Sequence, residues 1–182
     1  FSMNRVSTYK VLNEMQTSCP NTRVVLGGIH ASVMYHQLLE CYPHAIIVIG
    51  EGEVTLSELV KVFETGSSYD NITGLAFWRD GKVVRNQDRS LLHDLDILPF
   101  PKHEIFFEEE PNRITAHIIA SRGCPFRCSF CCLETISHGK LRKRNVAKVV
   151  EELKMLKEKY PRLKYVQFHD DTFLIDNEQV IL

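Results

Sequence analysis

The stretch RITAHIIASRGCPFRCSFCC, residues 113–132, decides how the chain is read. Its first nine residues, 113–121, are rich in Ile, Thr and Ala and read as a strand that runs straight into a loop. That loop holds Cys124, Cys128, Cys131 and Cys132, four of the six cysteines in the chain. The first three are spaced C-x3-C-x2-C, and Cys132 is an extra thiol. Structural zinc usually takes two C-x2-C pairs, or adds histidines at short spacing. Here there is one such pair, and His138 has no second histidine near it in sequence. Three thiolates suit a cubane [4Fe–4S] cluster that leaves its fourth iron open for chemistry. A non-catalytic zinc module stays open as the competing reading of these residues. Gly123 and Pro125 help a loop wrap a bulky inorganic core.

Downstream, NVAKVVEELKMLKEKYP (145–161) shows the clearest helical periodicity. Val146, Val149, Val150, Leu153 and Leu156 form its stripe, Asn145 caps it and Pro161 marks its end. LKYVQFHDD (163–171) is the next strand, ending in two carboxylates. Together these form a β-loop-α-β unit, the opening of a barrel or of an open parallel sheet. A loop after the first strand then lies at the ligand-binding end of the sheet.

The front of the chain carries a different pattern. Residues 5–17 form a weakly amphipathic helix. RVVLGG (23–28) and AIIVIG (45–50) are short apolar strands, and 31–40 and 51–66 suit helices, the second presenting Leu56, Leu59, Val60 and Phe63. Uniformly apolar strands alternating with helices predict a parallel sheet covered on both faces. After residue 70 the pattern changes. GLAFWRDGKVVRN alternates around Asp80-Gly81, a type I′ hairpin signal. Pro99 and Pro101 stiffen an extended segment after it, and the FFEEE run at 106–110 reads as a solvated connector. The division is therefore 1–70, a connector over 71–113, and 114–182.

The bulk numbers exclude some classes. At 182 residues the chain can form one large domain or two small ones, and 44% hydrophobic with 25% charged residues is ordinary for a soluble protein. A net charge of −1 supplies no basic field for nucleic acid or an anionic membrane. The longest apolar run, 45–49, cannot span a bilayer. Clustered thiols without a leader point to metal ligation in a reducing cytoplasm. The first residue is Phe, and EQVIL (178–182) stops without a helix end, so the chain reads as a fragment.

GCPFRCSFC (123–131) resembles the C-x3-C-x-φ-C signature of radical S-adenosylmethionine (SAM) enzymes, with Phe130 as the aromatic. The resemblance implies that Cys124, Cys128 and Cys131 ligate a [4Fe–4S] cluster whose open iron is chelated by SAM. It implies reductive cleavage of SAM to a 5′-deoxyadenosyl radical, an electron donor such as flavodoxin or ferredoxin, and a small-molecule substrate. Phe130 would lie near the adenine. HDDTF (169–173) resembles the segment that meets the amino group of SAM, making Asp170 and Asp171 the candidates; capping the following turn is their alternative role. KLRKRN (140–145) resembles the basic stretch before the first barrel helix in the cobalamin-linked branch. Arg142 and Arg144 could neutralise charge there, but a solvated basic turn is the expectation.

VVLGGIHAS with VIGEGEVTLSEL resembles the second half of the cobalamin-binding domain fused to many radical SAM proteins. That implies an α/β fold: the C-terminal half of a Rossmann-like B12-binding domain, a connector, and the first βα units of a partial TIM-like barrel. Gly27, Gly28, His30, Gly50, Glu51 and Gly52 are the cobalamin-facing candidates. The D-x-H-x-x-G segment that supplies a cobalt-ligating histidine in related domains is absent from these residues and would lie upstream of Phe1, and His30 is not assigned to cobalt. Methylation, or a radical rearrangement or cyclisation, is the implied outcome. A radical SAM enzyme whose Rossmann-like domain no longer binds B12 is the first alternative.

Overall fold

The computed structural model describes residues 4–109 and 112–173, leaving aside the side chains of 106 and 109. The chain divides into two units, one through Leu91 and one from Leu92. In the first unit the elements run α1 (Arg5–Ser18), β1 (Val24–Leu26), α2 (Ile29–Val33), α3 (Tyr35–Cys41), β2 (Ala45–Val48), α4 (Glu53–Thr65), β3 (Leu75–Arg79) and β4 (Lys82–Arg85). They build one sheet in the order β1-β2-β3-β4.

Strand β2 is buried at all four positions, which explains its unbroken apolar sequence. The pleat sends its side chains to opposite faces. Ala45 and Ile47 pack with Leu12 of α1 and Leu38, Leu39 and Tyr42 of the α3 region. Ile46 and Val48 pack on the other face with Leu59 of α4, Ile72, Leu75 and Phe77. Helices therefore cover both faces, as expected. Leu39 and Leu59 are fully buried, and truncating either to alanine would cost about 2–5 kcal/mol.

Four expectations need correction here. The sheet is mixed rather than parallel: β1 and β2 pair parallel, but β3 lies antiparallel to β2 and β4 antiparallel to β3. A two-residue turn permits only an antiparallel return, and Asp80 and Gly81 both take positive φ there. That hairpin is consequently an edge of the first sheet, not part of a connector. The segment read as one helix over 31–40 is two, interrupted at Met34. On α4 the buried side is Thr55 and Leu59, with Leu56 and Val60 each 44% exposed.

The second unit begins with a 3-10 turn (Leu95–Ile97) capped by Asp94, whose side chain accepts from the Asp96 amide. Then come α5 (Glu104–Glu109), β5 (Thr115–Ile118), β6 (Ser121–Arg122), α6 (Leu133–Ser137), β7 (Arg142–Lys143), α7 (Val146–Lys159) and β8 (Tyr165–Phe168). Strands β5 and β8 pair parallel in the register Thr115↔Tyr165 to Ile118↔Phe168, the predicted β-loop-α-β unit. Ala116 and Ile118 face Val149 and Leu156 of α7 in one core. Asn145 caps α7 by accepting from the Ala147 amide at 2.8 Å, as its sequence position predicts. Val146 and Val150 of the expected stripe are instead more than a third exposed.

The FFEEE run at 106–110 is not simply solvated. Phe107 is buried in α5 and stacks on Tyr160 with ring centroids 3.8 Å apart. Glu110 of that run lies outside the described residues, as does EQVIL.

Candidate functional site

The cysteine loop leaves the sheet through a two-residue ladder in which β6 pairs antiparallel with β7. Everything between 123 and 141 is thus an excursion pinned at both ends. Its first residue admits no side chain: a Cβ on Gly123, at φ +89°, would stand 2.1 Å from the Lys140 carbonyl oxygen. Cys124 is half-buried, while Cys128, Cys131 and Cys132 are exposed. The Cys131 amide donates to the Cys128 carbonyl at 3.0 Å, a tight turn that carries both thiols. Phe130 projects from this turn, 91% exposed.

The end of β8 clamps the loop's entry. Asp170 accepts from the Ala120 amide at 3.1 Å and from the Ser121 hydroxyl at 2.5 Å. Asp171 accepts from the Gly123 amide at 2.9 Å. Thr172 donates its hydroxyl proton to Cys124 Sγ at 3.1 Å. The two acidic candidates and the first cysteine are therefore brought together, and both carboxylates are at work holding backbone. A carboxylate offers about four acceptor positions, so this task does not exhaust either group.

Among the described residues, no three His, Cys, Asp or Glu side chains stand where one metal ion could be held. A tetrahedral zinc would draw its thiolates to about 3.8 Å from one another, given bonds of about 2.3 Å. A cubane instead meets each thiolate at a different iron. A donor set of three thiols spread over one solvent-facing loop fits the cubane in kind.

Behind the loop sits a network that sequence reasoning missed. Glu152 is fully buried in α7. It accepts from His103 Nε2 at 2.7 Å and from Arg144 Nη1 at 2.6 Å. Arg144 also donates to the Ile119 carbonyl at 2.9 Å, and its amide donates to the Ala120 carbonyl at 2.8 Å. Arg142 is buried too, and donates to the Leu92 carbonyl at 2.8 Å. The basic stretch is thus internal scaffolding, not a solvated turn. Burial opposes ionisation of Glu152, but hydrogen bonds and charge from His103 and Arg144 outweigh it and hold the carboxyl below its ordinary range. Periodicity could have flagged Glu152, which lies three residues past Val149 on the helix's inner side.

On the opposite side of the β5–β8 ladder, His117 Nδ1 and His169 Nε2 lie 2.7 Å apart. Burial, then the neighbouring His169 and Arg113, push the His117 imidazole down. Nothing in the spacing of these histidines, 52 residues apart, signals the pairing.

In the first unit, β1 and β2 are parallel, so Gly27-Gly28 and Gly50-Glu51-Gly52 follow carboxyl ends on one edge of the sheet. Ser32, buried and unremarked in the sequence, ties the two turns: its hydroxyl donates to the Gly28 carbonyl and accepts from the Gly50 amide, both at 2.9 Å. No atom lies within 4 Å of a Cβ built at Gly28 or Gly50, both at positive φ. At those two glycines bare backbone therefore faces open space, which fits close approach of a broad, flat group, whereas a Cβ at Gly27 or Gly52 would meet Val48. His30 Nε2 lies 3.2 Å from the hydroxyl of Tyr9 on α1.

Two family models match separate parts of the chain. Residues 1–60 match the B12 binding domain and residues 118–182 the Radical SAM superfamily. The chain thus carries segments of both domains, the pairing found in cobalamin-dependent radical SAM proteins. It is 32% identical over 165 residues to an uncharacterized methyltransferase of Pyrococcus horikoshii, spanning 88% of this chain and 36% of that protein. It is 36% identical over 158 residues to the anaerobic magnesium-protoporphyrin IX monomethyl ester cyclase of Cereibacter sphaeroides, spanning 82% and 25%. The fold matches the cobalamin-dependent SAM radical enzyme OxsB with a TM-score of 0.77 at 22% identity, over 94% of this chain and 24% of that one. It matches the radical SAM methyltransferase TsrM of Kitasatospora setae with a TM-score of 0.73 at 21% identity, over 93% and 33%. The chain therefore spans roughly a quarter to a third of these proteins. None of the described helices is long and apolar enough to cross a membrane.

Proposed function

We propose that the protein is a cobalamin-dependent radical SAM enzyme that methylates, rearranges or cyclises a small-molecule substrate in the cytoplasm. The observation that carries this reading is Cys124, Cys128 and Cys131 on a loop clamped by Asp170, Asp171 and Thr172 at the carboxyl end of a parallel strand pair. Cys124, Cys128 and Cys131 would hold a [4Fe–4S] cluster. When bound, that cluster would supply the electron, received from a flavodoxin or ferredoxin, for cleaving SAM to a 5′-deoxyadenosyl radical, with cobalamin as the methyl carrier.

The chain's own residues would do the positioning. Phe130 presents an exposed ring for the adenine to stack on. Asp170 and Asp171 have acceptor capacity for the SAM ammonium while they hold the loop entry. Gly27, Gly28, Gly50 and Gly52 let cobalamin approach backbone, with His30 and Glu51 as polar neighbours. Ser32 keeps the two glycine turns at a fixed separation.

Anaerobic reconstitution with iron, sulfide and hydroxocobalamin, followed by desalting, tests the reading. Retention of both a cluster absorbance and a corrinoid spectrum supports it, as does 5′-deoxyadenosine formed from SAM under reduction. A cluster without retained corrinoid would replace it with a radical SAM enzyme that does not use B12. Stoichiometric zinc without iron would replace it with a zinc module.

A further inference from the structure

We propose that Thr172 raises the reduction potential of the cluster by donating a hydrogen bond to the sulfur of Cys124; this rests on the cluster reading above. The hydroxyl of Thr172 donates to Cys124 Sγ at 3.1 Å, a short contact for a sulfur acceptor. The contact belongs to a register. Asp170 meets Ala120 and Ser121, Asp171 meets Gly123, and Thr172 meets Cys124, so successive residues of one segment hold successive stations of the other. A β-branched side chain has few χ1 choices, which keeps the hydroxyl aimed.

Cys124 is also the most sheltered thiol of the loop, half-buried where Cys128, Cys131 and Cys132 are exposed. Water competes least for its sulfur. A coordinating thiolate accepts hydrogen bonds more strongly than a neutral thiol. Reducing the cluster by one electron adds negative charge, part of it on the sulfurs, so a fixed donor stabilises the reduced form more than the oxidised one. Hydrogen bonds to sulfur are among the determinants of such potentials. No bond or proton changes place; the electron comes from the external reductant. Beside two acids, Thr172 looks like an incidental part of an acidic motif, and only the structure gives its hydroxyl a target.

The experiment compares wild type with Thr172→Val, Thr172→Ala and Thr172→Ser, each reconstituted anaerobically with iron and sulfide. Each is poised with dithionite and mediators and read by EPR. At the potential that half-reduces the wild-type cluster, the reduced-to-oxidised ratio should fall about two- to tenfold in the Val and Ala variants, the range for losing one hydrogen bond. Ser should restore it. In wild type, the iron–thiolate stretch in the resonance Raman spectrum should shift on transfer to D2O. Equal potentials in all four proteins would overturn the proposal. So would a loss of cluster content with an unchanged potential in the remainder, which is the mark of a purely structural residue. If the Val and Ala variants hold no cluster, a wild-type spectrum indifferent to D2O overturns it. A wild type that takes up zinc and no iron defeats the cluster reading itself, a result distinct from any of these.

Discussion

Replacing Glu152 by alanine should unfold the second unit's core more than any surface change could. The carboxylate is fully buried and bonded at 2.7 Å to His103 and 2.6 Å to Arg144, whose side chains are 6% and 12% exposed. Removing it leaves the guanidinium without its fully buried partner and with only Asp96, 3.8 Å from Nε, as counter-charge; breaking a buried pair typically costs about 3–5 kcal/mol. With a urea m-value of about 2 kcal/mol/M, the lower figure moves the midpoint down by about 1.5 M. Glu152→Gln keeps the shape and one acceptor, and should cost about 2 kcal/mol. Far-UV circular dichroism in urea measures both. Hydrogen exchange should localise the loss to the Arg144 amide, which donates to Ala120.

Acid adds a second reading of the same network. Folded Glu152 is held below its ordinary value of 4.5, so the unfolded chain binds more protons as the pH falls past that value. This part of the stability is present above pH 4.5 and lost as pH drops through the folded value. The Gln variant should show a flatter acid limb. A cost below 1 kcal/mol for the Ala variant, or identical acid limbs, would refute the reasoning.

Gly123→Ala should abolish iron uptake while leaving the helical circular dichroism near wild type, because its Cβ would meet the Lys140 carbonyl at 2.1 Å and force the loop to move; full iron content would contradict this. Cys128→Ala should lose the cluster absorbance and Cys132→Ala should keep it; equal loss in both would show that the ligand assignment is wrong. By 15N NMR, His117 should titrate below the ordinary 6.5, and His169→Gln should move it upward. Unchanged titration in that variant would break the link between the two rings.

The βαβ unit was legible because its signals are local. Asn145 is a cap four residues ahead of the first buried valine, and Asp80-Gly81 admits few turns other than the one it makes. The cysteine spacing was legible for the same reason. What was hidden depends on contacts across long separations. His103 and Glu152 are 49 residues apart, His117 and His169 are 52 apart, and Thr172 reaches back 48 residues to Cys124. Arg144 read as solvated because its charge says nothing of a buried carboxylate awaiting it. The hairpin read as connector because alternation reveals a strand pair but not the sheet that receives it. Val150 failed in the other direction: it continues the stripe of α7, yet lies toward solvent.

The central claim is that three thiols of this loop hold a four-iron cluster with one iron open. Mössbauer spectroscopy of 57Fe-reconstituted protein, before and after adding SAM, tests it most directly. The account predicts four irons per chain in a diamagnetic [4Fe–4S]2+ cluster, with one iron site whose parameters change when SAM is added. Iron absent, or four sites indifferent to SAM, would contradict it.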